Sequence, residues 1–324
     1  MVRRCGFTPG AAAARMSHYL VTGGAGFIGS HLCDALIARG DQVRVLDDLS
    51  TGHRHNLPPG VELTVGDIVD PETSLRATEG VDGCFHLAAI ASVERGVKDW
   101  LGSHRVNLTG TIAVLDAIRR HGGRIPVVYA SSAAVYGDCQ TIPILETAEK
   151  QPLSAYGADK YGCELHARTA GHVHGIPTTG LRFFNVFGPR QDPRSPYSGV
   201  ISIFCERIMK NQPVQIYGDG AQTRDFVHVS DVVAALLASM RLRSTQSPVF
   251  NVCTGTATSV AELASVIADL AGFCVEVVHL PPREGEVKHS LGDRREVLRV
   301  LGLGPAVSLR EGLTGVLAWL GATP

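Results

Sequence analysis

The chain has 324 residues, of which 44% are hydrophobic and 19% charged, and its formal net charge is −1. This length and composition predict about two globular domains with a large core. The near-neutral balance gives no reason to expect nucleic acid or an anionic membrane as a partner. The eight cysteines include no Cys-x-x-Cys pair, so we expect no metal site and a cytoplasmic location with reduced thiols. No apolar run approaches the ~20 residues of a membrane span.

The first fifteen residues carry an alanine run but lack the longer apolar core of a secretory signal. Met16 stands directly before the first strand-like run. We therefore interpret residues 1–15 as a disordered extension and start the fold at residue 16.

The first structured stretch runs from Tyr19 to Ser30, where an apolar run enters a glycine cluster and continues with apolar residues at helical spacing. This order predicts a strand, a tight turn and the start of a helix. Glycines let such a turn approach a pyrophosphate, which the free N–H groups of the helix start attract. A plain strand-to-helix turn is the alternative. The predicted dinucleotide contacts are Gly23, Gly26, Phe27, Ile28 and Gly29.

The second apolar run, Gln42–Leu46, ends in Asp47 and Asp48, and Asp47 lies eighteen residues after Gly29. An acidic side chain at this strand end is placed to accept hydrogen bonds from the adenosine ribose, and it repels a 2′-phosphate. The pattern therefore favours NAD over NADP. The alternative is an aspartate that only caps the turn.

Further strand-like runs alternate with segments of helical pattern, at Val61–Val65, Gly83–Ala89, Pro126–Ser132 and Thr178–Val186. The alternation predicts an α/β fold, namely a Rossmann-type doubly wound parallel sheet with helices on both faces. Ligands then bind outside the carboxyl ends of the strands. There Asp67 could bond the adenine amino group, and the small Ala88 and Ala89 would let a cofactor approach the backbone. His86 is interpreted as structural.

The composition changes after Asn185, where the Pro- and Arg-rich stretch Gly188–Pro196 cannot belong to a central strand. It predicts a crossing into a smaller C-terminal lobe. Two later runs, Asp225–Val229 and Val249–Val252, are predicted to return to the main sheet. The expected division is an NAD-binding domain at 16–182 with returning segments at about 225–252, and a substrate-binding lobe at 183–224 and 253–324.

Tyr156 and Lys160 form the sharpest chemical pattern. Pro152 and Ser154 precede them as a helix start, so the pair lies one turn apart on one helical face. Tyrosine acts as a base only as a phenolate, and one positive charge 4–6 Å away stabilises that anion by about 3–4 kcal/mol. A surface pair is the alternative, which the glycine turn and the strand end at Ser132 disfavour.

These residues resemble a known family. Thr22–Ser30, Ser132 and Tyr156-x-x-x-Lys160 look like the extended short-chain dehydrogenase/reductase family. Within it, further motifs are similar to those of nucleotide-diphosphate-sugar 4-epimerases, the group of the UDP-glucose 4-epimerases. These motifs are Ser132–Gly137, Arg182–Pro189, Gly218–Phe226 and Arg283–Glu286. The resemblance covers roughly residues 17–320.

The resemblance implies an enzyme that keeps NAD bound while a UDP-sugar is oxidised at carbon 4 and reduced again on its other face. Tyr156 would take the proton of the 4-hydroxyl, Ser132 would hydrogen-bond that oxygen, and Lys160 would hold the nicotinamide ribose. Beyond the glycine turn, the expected cofactor contacts are Asp47, Asp48, Asp67, Ile68, Leu87, Ala88, Ala89, Asn107, Ser131, Tyr156, Lys160 and Phe183.

The resemblance also implies a set of substrate contacts. Arg224 and Arg283 suit the diphosphate end, because a guanidinium fork binds phosphate oxygens with two bonds. Each arginine taken alone would more often be a solvated surface charge. The expected substrate contacts are Ser92, Ser132, Tyr156, Asn185, Val200, Tyr217, Arg224, Arg283, Glu286 and Ser290.

Two positions narrow the reaction. Related dehydratases carry an acidic pair directly after the catalytic Ser or Thr, and decarboxylases carry a glutamate there, but this chain has residues 133–135 as Ala-Ala-Val. Without a carboxylate, elimination lacks its acid and base, so simple epimerisation is favoured. In the family, the residue seven positions after the arginine that corresponds to Arg283 acts as a gate beside the sugar 2-substituent. Here it is Ser290, whose small side chain leaves room for an N-acetyl group.

The leading hypothesis is therefore a UDP-sugar 4-epimerase acting on UDP-glucose and UDP-galactose, and on the N-acetylated pair if the gate is open. The alternative enzyme is a UDP-hexuronate 4-epimerase or another NAD-dependent sugar-nucleotide oxidoreductase. A non-catalytic NAD-sensing protein is disfavoured by the presence of Ser132, Tyr156 and Lys160 together. The family also implies a homodimer formed through the helices around 100–120 and 152–171.

Overall fold

The fold is built around a seven-stranded parallel sheet. The computed structural model describes residues 16–193, 199–282 and 287–322, so the extension expected at 1–15 lies outside the described residues. The strands of these ranges are β1 (His18–Thr22), β2 (Gln42–Asp47), β3 (Glu62–Val65), β4 (Gly83–His86), β5 (Val127–Ser132), β6 (Thr178–Phe183), β7 (Asn185–Phe187), β8 (Val214–Tyr217), β9 (Thr223–His228), β10 (Val249–Val252), β11 (Ala257–Ser259) and β12 (Val277–Leu280).

The main sheet has the strand order β10-β6-β5-β4-β1-β2-β3, and every neighbouring pair in it is parallel. Strands β1, β2 and β3 follow one another outward to one edge of the sheet. The chain then crosses back, and β4 pairs with the other side of β1. The connections of β1 and β4 therefore leave in opposite directions and open a crevice at the carboxyl ends of these strands. The predicted Rossmann-type doubly wound α/β sheet is confirmed.

Helices cover both faces of the main sheet, each over its own hydrophobic core. The helices of the described ranges are α1 (Phe27–Ala38), α2 (Pro71–Ala77), α3 (Val93–Lys98), α4 (Trp100–His104), α5 (Gly110–Arg120), α6 (Ala155–His174), α7 (Val200–Met209), α8 (Val229–Ser239), α9 (Val260–Ala271), α10 (Arg295–Leu301) and α11 (Leu309–Ala322). Apolar residues of α1, α8 and α10 pack on one face, and those of α2, α5 and α6 on the other. None of the described helices is long and apolar enough to cross a membrane.

A second core lies outside the main sheet. Helices α7, α9 and α11 pack there against β7, β8 and β9, with Phe187, Phe204 and Leu263 buried between them. The strands form a three-stranded sheet, β11-β9-β7, and a two-stranded sheet, β12-β8. The boundaries of the two lobes stay a prediction.

Two predictions about strands were wrong. The run expected at 178–186 is interrupted at Phe184, so that β6 stays in the main sheet while β7 pairs with β9. The run expected at 225–229 does not return to the main sheet, because β10 already covers the free edge of β6. Strand β9 pairs instead with β7 and β11, and only the run at 249–252 rejoins the sheet as expected.

Candidate active site

A cavity of about 490 Å³ opens at the carboxyl ends of β1, β2, β4, β5 and β6. Every predicted cofactor contact except Asn107 borders it. The predicted catalytic residues Ser132, Tyr156 and Lys160 border the same cavity, as does the substrate candidate Asn185. The structure thus brings together most of the residues that the sequence placed at strand ends.

The glycine turn provides a cradle that side chains would fill. Gly23 has φ +69°, and a Cβ there would lie 2.7 Å from the backbone nitrogen of Ala88. A Cβ on Gly29 would collide with the carbonyl oxygen of Gly23. Gly26 is the N-cap of α1 and has no side chain, so it makes no side-chain hydrogen bond to the first N–H groups of this helix. Uncovered helix N–H groups beside a cavity fit the pyrophosphate of a dinucleotide.

Asp47 takes part in both the turn and the cavity. Its carboxylate is buried and accepts hydrogen bonds from the backbone nitrogens of Ala25 and Leu49, both at 2.9 Å. Burial raises the pKa of Asp47, and the same two N–H groups oppose that rise. Each carboxylate oxygen has a second acceptor position, so the turn-capping role leaves room for a ribose hydroxyl. Asp48 is exposed and accepts from the backbone and hydroxyl of Ser50.

The catalytic candidates converge from two elements. Ser154 caps α6 by accepting from the nitrogen of Gly157, as the helix-start pattern predicts. Lys160 is buried and donates to the carbonyl of Ala130 at 2.9 Å, with its Nζ 5.8 Å from the centre of the Tyr156 ring. Ser132, at the end of β5, accepts from the nitrogen of Ala134 at 3.2 Å. This bond uses an acceptor position and leaves the serine proton for another partner.

His86 lies beneath the cavity in a chain of buried hydrogen bonds. Thr22 Oγ1 accepts from the nitrogen of Ala88 and lies 2.8 Å from His86 Nδ1. Thr111 Oγ1 lies 3.0 Å from His86 Nε2 and donates to the carbonyl of Asn107. These directions place the ring proton on Nε2. Burial, followed by the charge of Lys160, lowers the pKa of His86 to about 3, so the ring is neutral and structural.

Asn107 is placed behind the cavity wall rather than on it. Its buried side-chain amide accepts from the nitrogen of Ile90 at 2.8 Å and donates to the carbonyl of Ile90 at 3.2 Å. The residue lies in a π-helical turn, Arg105–Thr109, between α4 and α5. The side chain therefore supports the wall segment that contains Ala88 and Ala89.

The other predicted substrate contacts among the described residues do not border this cavity. Ser92 is buried and caps α3 by accepting from the nitrogen of Arg95. Val200 begins α7 and Tyr217 ends β8. Arg224 and Ser290 meet at Thr223, whose carbonyl accepts from the Arg224 guanidinium and from the nitrogen of Ser290. The remaining two candidates, Arg283 and Glu286, lie outside the described residues.

Sequence reasoning missed some residues of the cavity wall. Arg190, with φ +66°, borders the cavity and pairs with Asp34 of α1 at 2.6 Å. Its guanidinium also donates to the carbonyl of Asn56 at 3.5 Å, and Asn56 borders the cavity as well. The signal for Arg190 was an arginine inside the Pro-rich stretch, which was interpreted only as a crossing.

The parallel sheet, the uncapped glycine turn and the Ser-Tyr-Lys group around one cavity define a dinucleotide-dependent enzyme of the Rossmann type. Residues 19–253 match the model of the NAD dependent epimerase/dehydratase family. The chain belongs to this family, and NAD is its cofactor. The predicted class, an NAD-dependent isomerase, and the resemblance drawn from the motifs are confirmed.

Relatives cover almost the whole chain but differ in the sugar they name. The UDP-glucose 4-epimerase of Mycolicibacterium smegmatis is 39% identical over 300 residues, which cover 91% of this chain and 95% of that protein. The UDP-glucose 4-epimerase of Thermotoga maritima, solved with UDP-glucose, is 37% identical with a TM-score of 0.89, covering 94% and 98% of the two chains. The UDP-N-acetylglucosamine 4-epimerase of Methanobrevibacter ruminantium, in complex with UDP-N-acetylmuramic acid, is 34% identical with a TM-score of 0.90, covering 95% and 99%.

Proposed function

We propose that the protein is a UDP-sugar 4-epimerase that interconverts UDP-glucose and UDP-galactose. The observation that carries the proposal is the position of Tyr156, Lys160 and Ser132 around one cavity that also contains the glycine turn. The relatives named above support UDP as the nucleotide.

The chemistry follows from what each side chain can donate or accept. When bound, NAD would supply the acceptor for the hydride of carbon 4 and the donor for its return to the other face of the sugar. Tyr156 takes the proton of the 4-hydroxyl as a phenolate, and the ammonium of Lys160, held against Ala130, stabilises that anion. Ser132 donates a hydrogen bond from its hydroxyl to the sugar oxygen and keeps its proton. After the 4-keto sugar has rotated in the site to present its other face, Tyr156 returns the proton to the 4-oxygen.

The proposal extends to UDP-N-acetylglucosamine and UDP-N-acetylgalactosamine through Ser290. Its backbone nitrogen is held by Thr223, next to the proposed phosphate ligand Arg224. A serine at this position occupies little space, so a bulky 2-substituent fits beside it. One solved relative is named as a UDP-N-acetylglucosamine 4-epimerase, which supports the extension.

We also propose a homodimer in the cytoplasm. Val97, Trp100 and Leu101 of α3 and α4 are 80%, 69% and 79% exposed in the single chain, and Leu165 of α6 is 38% exposed. Large apolar side chains grouped on neighbouring helices support burial against a second copy. The described cysteines are all free, which supports a reducing compartment.

The test is to incubate purified full-length protein, without added cofactor, with UDP-galactose and UDP-N-acetylgalactosamine separately and to follow the products by chromatography. Conversion of both supports NAD that stays bound, 4-epimerisation and an open gate. Conversion of UDP-galactose alone rejects the argument from Ser290. If neither turns over after NAD is added, the proposal fails, and UDP-hexuronates become the next substrates to assay.

A further inference from the structure

A buried ion pair that the proposed chemistry does not use lies beside the active site. Glu164 of α6 and Arg182 of β6 are only 6% and 4% exposed in their side chains. Two parallel bonds join them, Nε to Oε1 at 2.8 Å and Nη2 to Oε2 at 2.7 Å. Burying two charges carries a desolvation cost that apolar residues of similar size avoid. Stability alone therefore does not explain the pair.

The carboxylate of the pair docks α6 on the catalytic strand. Tyr156, Lys160 and Glu164 follow one another at intervals of four residues and so share one face of α6. Lys160 donates to the carbonyl of Ala130, and one turn later Glu164 accepts from Ser131 Oγ at 2.6 Å. Two successive polar contacts thus fix the helix against the two residues that precede Ser132.

The guanidinium holds the other side of Ser132. Arg182 Nη1 donates to Tyr136 Oη at 2.6 Å, and its central carbon lies 4.9 Å from the Tyr136 ring centre. Tyr136 in turn donates to Asn251 Oδ1 of β10 at 2.6 Å. Tyr136 ends the short helical turn that follows Ser132 directly. The pair therefore contacts side chains on both sides of Ser132.

We propose that the Glu164–Arg182 pair positions α6 along its own axis relative to the end of β5. The pair thereby sets the distance between Tyr156 and Ser132. The inference rests on the proposed function, since it concerns the two groups that share the sugar 4-oxygen. Directional bonds fix a helix along its own axis, which apolar contacts do less sharply. A misplacement of about 1 Å at reacting groups can lower a rate about 100-fold.

The test uses Ser131→Ala, because Glu164→Gln would leave a buried guanidinium without its charge partner and could prevent folding. Ser131→Ala removes the bond from Ser131 to Glu164 and keeps both the ion pair and the bond from Lys160 to Ala130. The matched control is Thr78→Val, which removes an equally buried hydroxyl, bonded to the carbonyls of Ser74 and Leu75 at 2.9 and 3.0 Å, from the end of α2. For both full-length variants we would measure kcat, KM, bound NAD and the thermal midpoint.

We expect Ser131→Ala to lower kcat, expressed per molecule of bound NAD, about tenfold, while Thr78→Val lowers the thermal midpoint equally but leaves kcat unchanged. Equal kcat in wild type and Ser131→Ala, or an equal loss in both variants, would overturn the proposal.

Crystal structures of wild type and Ser131→Ala with NAD provide a readout that does not need turnover. We expect the distance from Tyr156 Oη to Ser132 Oγ to change by about 0.5 Å, and an unchanged distance would overturn the positioning role. If wild type converts no UDP-sugar, the proposed function fails while this comparison still decides the inference.

Discussion

Two regions of the molecule are stabilised by different interactions. The first, the cofactor wall, consists of Thr22, Gly23, His86 and residues 87–90. The second, the Asp225 junction, consists of Asp225, Thr254, Gly255 and Gly292. In the wall, the backbone of Gly23 packs on the backbone of Leu87 and Ala88. Behind it, the neutral imidazole of His86 links Thr22 and Thr111 by hydrogen bonds. In the junction, one fully buried carboxylate accepts from Thr254 N, Thr254 Oγ1, Gly255 N and Gly292 N. A substitution that adds atoms should therefore destabilise the wall. A substitution that removes a hydrogen-bond acceptor should destabilise the junction.

The proposed catalytic group, Ser132, Tyr156 and Lys160, belongs to neither region and should be separable from both. Tyr156→Phe removes the proposed base but keeps the ring, so we expect turnover to fall about 10²–10⁴-fold with bound NAD and the thermal midpoint unchanged. The measurement is conversion of UDP-galactose by a fixed amount of protein. Tyr161→Phe, on the same helix, removes a phenol outside the cavity and should keep wild-type activity. Wild-type turnover in Tyr156→Phe would disprove the assigned base.

The wall can be broken by a single methyl group. Gly23 and Gly40 both have positive φ, +69° and +82°, but a Cβ meets Ala88 at the first and nothing within 4 Å at the second. The two alanine variants therefore share the backbone strain and differ only in the close approach. We expect Gly23→Ala to lower the free energy of unfolding by about 1–3 kcal/mol more than Gly40→Ala and to lose bound NAD. Equal losses in denaturant unfolding would refute the close approach.

The same contrast explains what the sequence could predict. The wall consists of residues at strand ends, and local patterns of glycine and apolar spacing place them without knowledge of distant contacts. Asn107 is an exception, because its role depends on Ile90, seventeen residues away. The junction joins residues 225, 254, 255 and 292, whose pairing no local pattern encodes. For the same reason β9 was assigned to the wrong sheet and Arg190 was not expected at the cavity.

The junction can be tested by exchanging one atom type. An asparagine at 225 presents an NH₂ group to backbone N–H donors, so part of the four-bond set is lost at a cost of about 1–3 kcal/mol. Arg224 is adjacent and Ser290 lies two residues before Gly292, so we expect Asp225→Asn to raise KM for the UDP-sugar while bound NAD stays. The control is Asp219→Asn, where an exposed carboxylate accepts from the nitrogen of Ala221. An unchanged KM in Asp225→Asn would show that the junction does not contribute to substrate binding.

The hydrogen-bond chain in the wall predicts a pH effect. The pKa of His86 is lowered to about 3 in the folded chain, against about 6.5 for an unperturbed histidine. Between these values the unfolded chain binds the proton and the folded chain does not. The contribution of this residue to stability is therefore complete above pH 6.5 and is lost on acidification, by about 1.4 kcal/mol per pH unit.

His86→Gln removes that dependence while keeping one donor and one acceptor for the two threonines. We expect the variant to be less stable than wild type at neutral pH, with the difference shrinking as the pH falls from 6.5 towards 4. Denaturant unfolding at several pH values gives the slope, and the exposed His55→Gln should track wild type throughout. Parallel curves for wild type and His86→Gln would mean that the ring is not held neutral. The wall would then depend on glycine packing alone, without the hydrogen-bond chain behind it.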